Sequence, residues 1–204
     1  MDSIKTIAEL EVVYNLKPVL ASTAKELDYI APAYRNLIEL SPFVALATIG
    51  PGGLDCSPRG DLAGFVKILD EKTLAMPDRR GNNRIDSLRN IVSDPRVALM
   101  FLIPGSGTTF RVNGTATLTT NSELCQSFAV EGQLPRSVIV IKVEAAYFQC
   151  ARAILRSGLW DPSKHVPKEA VPSTGKILES LTKGEINAEA YNSNWPARAK
   201  TSMW

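Results

Sequence analysis

Apolar residues change their spacing near residue 40, and the change marks a switch from helices to strands. Before it they recur at helical intervals. Ile4, Ile7, Ala8 and Leu10 open one short amphipathic segment, Pro18 ends it, and residues 23–30 and 33–40 predict two more helices near Pro32 and Pro42. From residue 43 the period shortens. The apolar run 43–49, bounded by Gly50-Pro51-Gly52-Gly53, predicts a strand, a turn and a returning partner at 54–58. Residues 65–68 and 73–76 flank a polar tip and read as a hairpin. Residues 83–93 carry a helical stripe of Ile85, Leu88, Ile91 and Val92, stopped at Asp94-Pro95. The continuous apolar run 97–103 predicts a central strand, and Phe110, Val112, Ala116 and Leu118 alternate with polar positions in a half-buried one. Ser122 is a plausible cap for a short helix over 122–130. A last strand runs from 138 to about 150, with a further helix at 151–155.

The pattern predicts a mainly β chain with helices, its strands joined mostly by hairpins, and so a small antiparallel barrel in which closure removes exposed edges. It divides the chain into a helical segment at 1–40, a barrel at 41–160, and a tail at 161–204 that packs on the barrel or a dimer partner. The tail is polar and broken by prolines, with one helical patch at 176–182, yet the region from residue 160 onward holds all three tryptophans, Trp160, Trp195 and Trp204.

Composition narrows the function classes. With 45% hydrophobic and 22% charged residues, the 204-residue chain is neither disordered, collagenous nor a coiled coil. A formal charge of +2 gives no reason to expect nucleic acid or an anionic membrane as partner. One histidine and three cysteines without a CxxC or HxxxH spacing make no zinc site, so no metal is expected. Cys56, Cys125 and Cys150 read as buried free thiols. The chain opens without a basic and then apolar leader, and its apolar runs are too short to span a bilayer, so a soluble cytoplasmic protein is expected.

Most chemical motifs fail. Gly105-Ser106-Gly107 lacks a third glycine and leads into a strand; no GxxxxGK[ST] or GxSxG occurs; a Ser-His-Asp triad would need His165, in the proline-rich tail. The informative stretch joins a strand end to a helix start. Between residues 78 and 96 stand five arginines against three aspartates, with Arg79, Arg80 and Arg84 around the helix start. Unpaired N–H groups and partial positive charge there suit a phosphate. A solvated basic turn capped by Asn82 is the other reading. Ser57-Pro58-Arg59-Gly60-Asp61 forms a second cluster in a turn.

Together, Ser41-Pro42-Phe43, Ser57-Pro58-Arg59-Gly60-Asp61, the string Pro77-Asp78-Arg79-Arg80-Gly81-Asn82-Asn83-Arg84, Asp94-Pro95-Arg96-Val97 and Arg111-Val112-Asn113-Gly114 resemble the pyridoxamine 5′-phosphate oxidase-like FMN-binding split-barrel proteins. The likeness is greatest to a bacterial subgroup of FMN-dependent enzymes and runs from about Tyr29 to Trp160. It implies a six-stranded antiparallel split barrel that forms a homodimer, with two FMN molecules in clefts between subunits. It assigns the FMN phosphate to Asn82, Asn83 and Arg84, with Ser87 one turn on. Phe65, Val66 and Lys67 would line the isoalloxazine, Pro77 and Asp78 would give backbone contacts, and Thr109 or Arg111 a polar one. Arg59 and Lys67 either stabilise negative charge on the reduced ring or pair with Asp61 or Asp70. Trp160 either reaches the substrate side of the cleft or pins the tail to the barrel. The tail shows no arginine-rich substrate grip like that of the true oxidases, which argues against pyridoxamine phosphate as substrate. The expected function is an FMN-dependent oxidoreductase acting on a small molecule, with no catalytic acid or base assigned. An F420-dependent reductase of the same fold and a non-enzymatic flavin-binding or storage protein are the alternatives. Haem is disfavoured because His165 is the one available axial ligand.

Overall fold

The structure is a computed structural model and describes residues 3–203. Seven strands carry the fold: β1 (Phe43–Gly50), β2 (Gly53–Gly60), β3 (Lys67–Asp70), β4 (Thr73–Pro77), β5 (Arg96–Leu102), β6 (Thr109–Thr119) and β7 (Val138–Gln149). All pairs are antiparallel, in the order β2-β1-β5-β6-β7-β4-β3. This is the split barrel with helices that the sequence predicts, with seven strands in place of six.

Alternation along the strands builds the core. β1 buries Val44, Leu46 and Thr48, and β5 buries Val97, Leu99 and Phe101. Because the registers align these positions, Leu46 lies opposite Leu99, Leu99 opposite Val112, and Val112 opposite Ala146. The four form one apolar row, each at most 1% exposed. Burying a side chain of leucine size is worth about 1.5–3 kcal/mol. The longest pair, β6–β7, shifts register between Asn113 and Gly114, and a Cβ at Gly114 would run into the Lys142 carbonyl.

The helices depart further from the sequence pattern. At the front lie α1 (Ile7–Val13), α2 (Leu20–Thr23), a short 3₁₀ turn at Pro32–Tyr34 and α3 (Arg35–Glu39). No helix spans 23–30. Leu27 instead exchanges backbone hydrogen bonds with Ala146, and Ile30 donates to the Glu71 carbonyl, so the segment runs across the sheet. Its apolar residues serve extended packing and not a helical face: Ile30 is buried and Leu27 packs against the same core.

Later helices are α4 (Asp86–Ser93), α5 (Ser122–Ser127), α6 (Arg152–Ser157), α7 (Thr174–Leu181) and α8 (Ala188–Ser202). The cap of α5 is Asn121 and not Ser122, because the Asn121 side chain reaches the Leu124 N–H at 2.9 Å. The tail forms a pair of helices, α7 against α8, where the sequence predicts a single patch. Asn192 fastens the pair by accepting from the Gly175 N–H and donating to Ser173 Oγ. Among the cysteines only Cys125 is buried; Cys56 on the edge strand β2 and Cys150 just past β7 are exposed, against expectation. Trp204 lies outside the described residues. Among those residues, no helix is long and apolar enough to cross a membrane, and no three His, Cys, Asp or Glu side chains group to hold a metal.

Candidate functional site

The basic loop between β4 and α4 is held by the β1–β2 hairpin. Ser87 is buried and its Oγ donates to Asp55 Oδ2 at 3.0 Å, while Asn90 Nδ2 donates to Thr48 Oγ1 at 3.1 Å. Gly50 lets this helix come close, since a side chain there would collide with Asn90. α4 begins at Asp86, three residues later than the stripe predicts, because Asn83 (φ 62°) and Ile85 (φ 53°) take left-handed conformations. The later start turns the buried face to Ser87 and Ile91 and leaves Ile85 and Val92 exposed. Asn82 is not the helix cap: its Oδ1 accepts the Arg84 N–H at 3.0 Å and shapes the loop.

Two ion pairs join the end of β2 to the end of β4. Arg59 Nη1 donates to Asp78 Oδ1 at 2.8 Å, and Arg79 Nε donates to Asp61 Oδ2 at 2.6 Å. Both are largely shielded from solvent, with Asp61 only 2% exposed. Arg59 therefore pairs with Asp78, and Asp61 with Arg79. Arg79 also donates to the Phe128 carbonyl, and Lys67 Nζ donates to the Ser127 carbonyl. These two cations thus cap the C-terminal end of α5, where carbonyls lack helical partners. Lys67 also lies 4.6 Å from the Phe128 ring centroid.

Beside these pairs opens a cleft of about 800 Å³, within the size range of small-molecule sites. One wall is apolar, with Phe65, Pro77, Leu134 and Pro135; the other is the loop carrying Arg80, Asn82, Asn83 and Arg84, faced by Arg136. Five arginines and three aspartates line it. Arg59 and Arg84 are paired with Asp78 and Asp86, whereas Arg80 and Arg136 have no carboxylate partner among the described residues. Arg136 Nη1 donates to Asn83 Oδ1 at 3.2 Å. Arg59 Nε is buried without a hydrogen-bond partner among the described residues.

The cleft gathers eight of the thirteen residues singled out in the sequence: Arg59, Phe65, Pro77, Asp78, Asn82, Asn83, Arg84 and Ser87. The Asp78 N–H is already taken by the Ser137 carbonyl at 3.0 Å. Arg84 precedes the helix, is 75% exposed at its side chain, and pairs with Asp86 at 2.7 Å. The other five lie outside the cleft. Val66 is in the core, and Lys67 caps α5. Thr109 pairs with Gln149, and Arg111 lies over the Tyr147 ring. Trp160 Nε1 donates to the Ser106 carbonyl at 2.7 Å and fastens the start of the tail to the β5–β6 turn. Sequence reading missed Arg136, which follows Leu134-Pro135 in the loop before β7 and belongs to no motif. It saw Arg80 in the basic cluster without giving it a role.

Comparison with known proteins bears on the barrel. HupZ of Group A Streptococcus aligns over 59% of this chain and 99% of its own, at 18% identity and a TM-score of 0.49. A candidate pyridoxamine 5′-phosphate oxidase from Lactobacillus delbrueckii aligns over 60% and 98%, at 22% identity and a TM-score of 0.47. An F420 reductase aligns over 59% and 98%, at 18% identity and a TM-score of 0.42. No curated protein sequence matches the chain. The pyridoxamine 5′-phosphate oxidase family profile matches residues 30–150, more than half of the sequence. That span contains the whole sheet and the loop that lines the cleft, and by it the chain belongs to the pyridoxamine 5′-phosphate oxidase family.

Proposed function

We propose that the cleft binds FMN and that the protein is an FMN-dependent oxidoreductase acting on a small molecule, working as a cytoplasmic homodimer with the cofactor at the subunit seam. The observation that carries this reading is the division of one cleft into an apolar wall and an arginine-bearing loop. The donor set fits a planar group that bears a phosphate. Guanidinium forks match phosphate oxygens in pairs, and Arg80 and Arg136 carry no carboxylate to displace. The orphaned Arg59 Nε offers an N–H that a bound acceptor would satisfy. The two exposed thiols suit a reducing compartment.

In this arrangement Arg80, Arg136, Asn82 and Asn83 hold the phosphate, with Arg84 at the exposed rim. Phe65 and Pro77 support one face of the ring and exclude water from it. The Arg59–Asp78 pair keeps a positive group beside the ring edge, where it stabilises negative charge. FMN, when bound, supplies hydride transfer at its N5 atom. Thr109, Arg111 and Trp160 would act across the seam, on the other subunit's cleft. The test is the visible spectrum and mass of the cofactor that purifies with the protein. Flavin absorption with the mass of FMN is expected. A deazaflavin mass, or protein that neither retains nor takes up a flavin, overturns the reading.

A further inference from the structure

A second cavity of about 780 Å³ adjoins the first. Arg80, Gly81 and Asn82 border both, so the cavities share the basic loop as a wall. The opposite wall comes from the tail, where α8 presents Tyr191, Trp195, Arg198 and, just past its end, Met203. Arg198 is fixed on aromatic faces: its Cζ lies 4.6 Å from the Tyr191 ring centroid and 5.1 Å from that of Trp195. Neither Arg198 nor Arg80 has a carboxylate partner among the described residues, and Arg79 already holds Asp61, the one acid of the lining. Trp195 is 53% exposed, a large aromatic surface left open beside the Arg198 guanidinium.

We propose that this second cavity is a binding site for a planar aromatic anion, held by Arg198 on α8. The inference rests on reading the first cleft as the cofactor site, because the shared wall then serves the cofactor's phosphate and Arg198 is left to the second ligand. Arg198 pairs with the anionic group, and the Tyr191–Arg198–Trp195 stack keeps the guanidinium in place before the ligand arrives. Trp195, Met203 and Leu62 supply surface for the aromatic part. The tail, which the family match does not reach, then carries a second ligand site, and the barrel holds the cofactor.

The test is calorimetric titration of the FMN-loaded protein with 2-naphthoate, with 2-naphthylmethanol as neutral isostere and inorganic phosphate as anion without a ring. Saturable binding of 2-naphthoate is expected, at least about tenfold tighter than either control. Arg198→Gln and Trp195→Leu should each weaken it about tenfold or more, as loss of a charge-assisted bond or an aromatic contact does, while the circular dichroism spectrum and FMN affinity stay unchanged. Binding as tight for the alcohol or for phosphate, or unaltered by Arg198→Gln, overturns the proposal. FMN binding without 2-naphthoate binding defeats this inference and leaves the cofactor reading standing. Binding of 2-naphthoate that depends on Arg198, in a protein that takes up no FMN, does the reverse.

Discussion

Arg59 and Asp78 meet at 2.8 Å across the seam between β2 and the end of β4, and the pair borders the cleft while helping to close the barrel beside it. A second pair, Arg79 with Asp61, repeats the tie in the opposite sense of charge. With side chains 19% and 17% exposed, Arg59 and Asp78 are shielded enough that removing one partner strands the other. Asp78→Asn should cost about 1–3 kcal/mol in chemical denaturation. The double variant Arg59→Gln/Asp78→Asn should recover part of that loss. Strictly additive losses would show that the two side chains do not interact.

Gly114 is fixed by backbone approach. Gly114→Ala would drive a methyl group into the Lys142 carbonyl where β6 shifts register against β7. A loss of about 3 kcal/mol is expected in thermal or denaturant unfolding, at the upper end for overpacking. Unchanged stability would mean that the two strands separate there without penalty.

Asp94, just after α4, accepts three hydrogen bonds from the Arg96 side chain and one from its backbone. The side-chain bonds, then the backbone bond, lower its pKa from an ordinary 3.8 to about 2. A carboxyl with a depressed folded-state pKa adds stability above its unfolded value and loses it as pH falls through the folded one. Asp94→Asn should therefore destabilise the protein at pH 5–7. Between pH 4 and 2 the gap to the wild type should close, as followed by urea denaturation. A gap that stays constant over that range would exclude the titration of Asp94 as its source.

The strands were the most legible part of the sequence. β1, β5 and β6 carry inward apolar residues at every second position, and burial against a partner strand demands that spacing. Leu27 and Ile30 misled because an apolar residue packed across a sheet from an isolated bridge looks the same as one on a helical stripe. α8 was missed because it buries no residue of its own and carries Pro196 inside it, a residue that removes a backbone donor and ordinarily breaks a helix. At the cleft, the contiguous string from Pro77 to Arg84 was readable because the loop is local. Arg136 comes from a loop more than fifty residues further on, and nothing local marks it. The left-handed turns at Asn83 and Ile85, which delay α4, leave only the Gly-Asn-Asn sequence as a trace.

The placement of the arginines ranks their roles. Arg136 lines the cleft and meets the loop at Asn83, while Arg84 is spread into solvent and neutralised by Asp86. Arg136→Gln should weaken FMN about tenfold or more, with a smaller effect for Arg84→Gln, and neither should change riboflavin affinity appreciably. Equal loss of FMN and riboflavin in Arg136→Gln would mean that Arg136 acts through the fold and not through the phosphate.

Light scattering of the FMN-loaded protein should give twice the chain mass at micromolar concentration. The front of the chain leaves Leu16 88% and Leu20 79% exposed, apolar surface that a second copy would cover. A flavin-bound monomer would refute a site shared between subunits.

Calorimetry of flavin-free protein with FMN and with riboflavin bears most directly on the assignment of the cleft. The two ligands share the ring and differ in the phosphate, so their ratio isolates the basic loop. Two charge-assisted contacts from Arg80 and Arg136, at about 1.5–3 kcal/mol each, predict FMN binding at least about a hundredfold tighter than riboflavin. Equal affinity for the two flavins, or no binding of either, would contradict a phosphate-binding flavin site between β2 and α4.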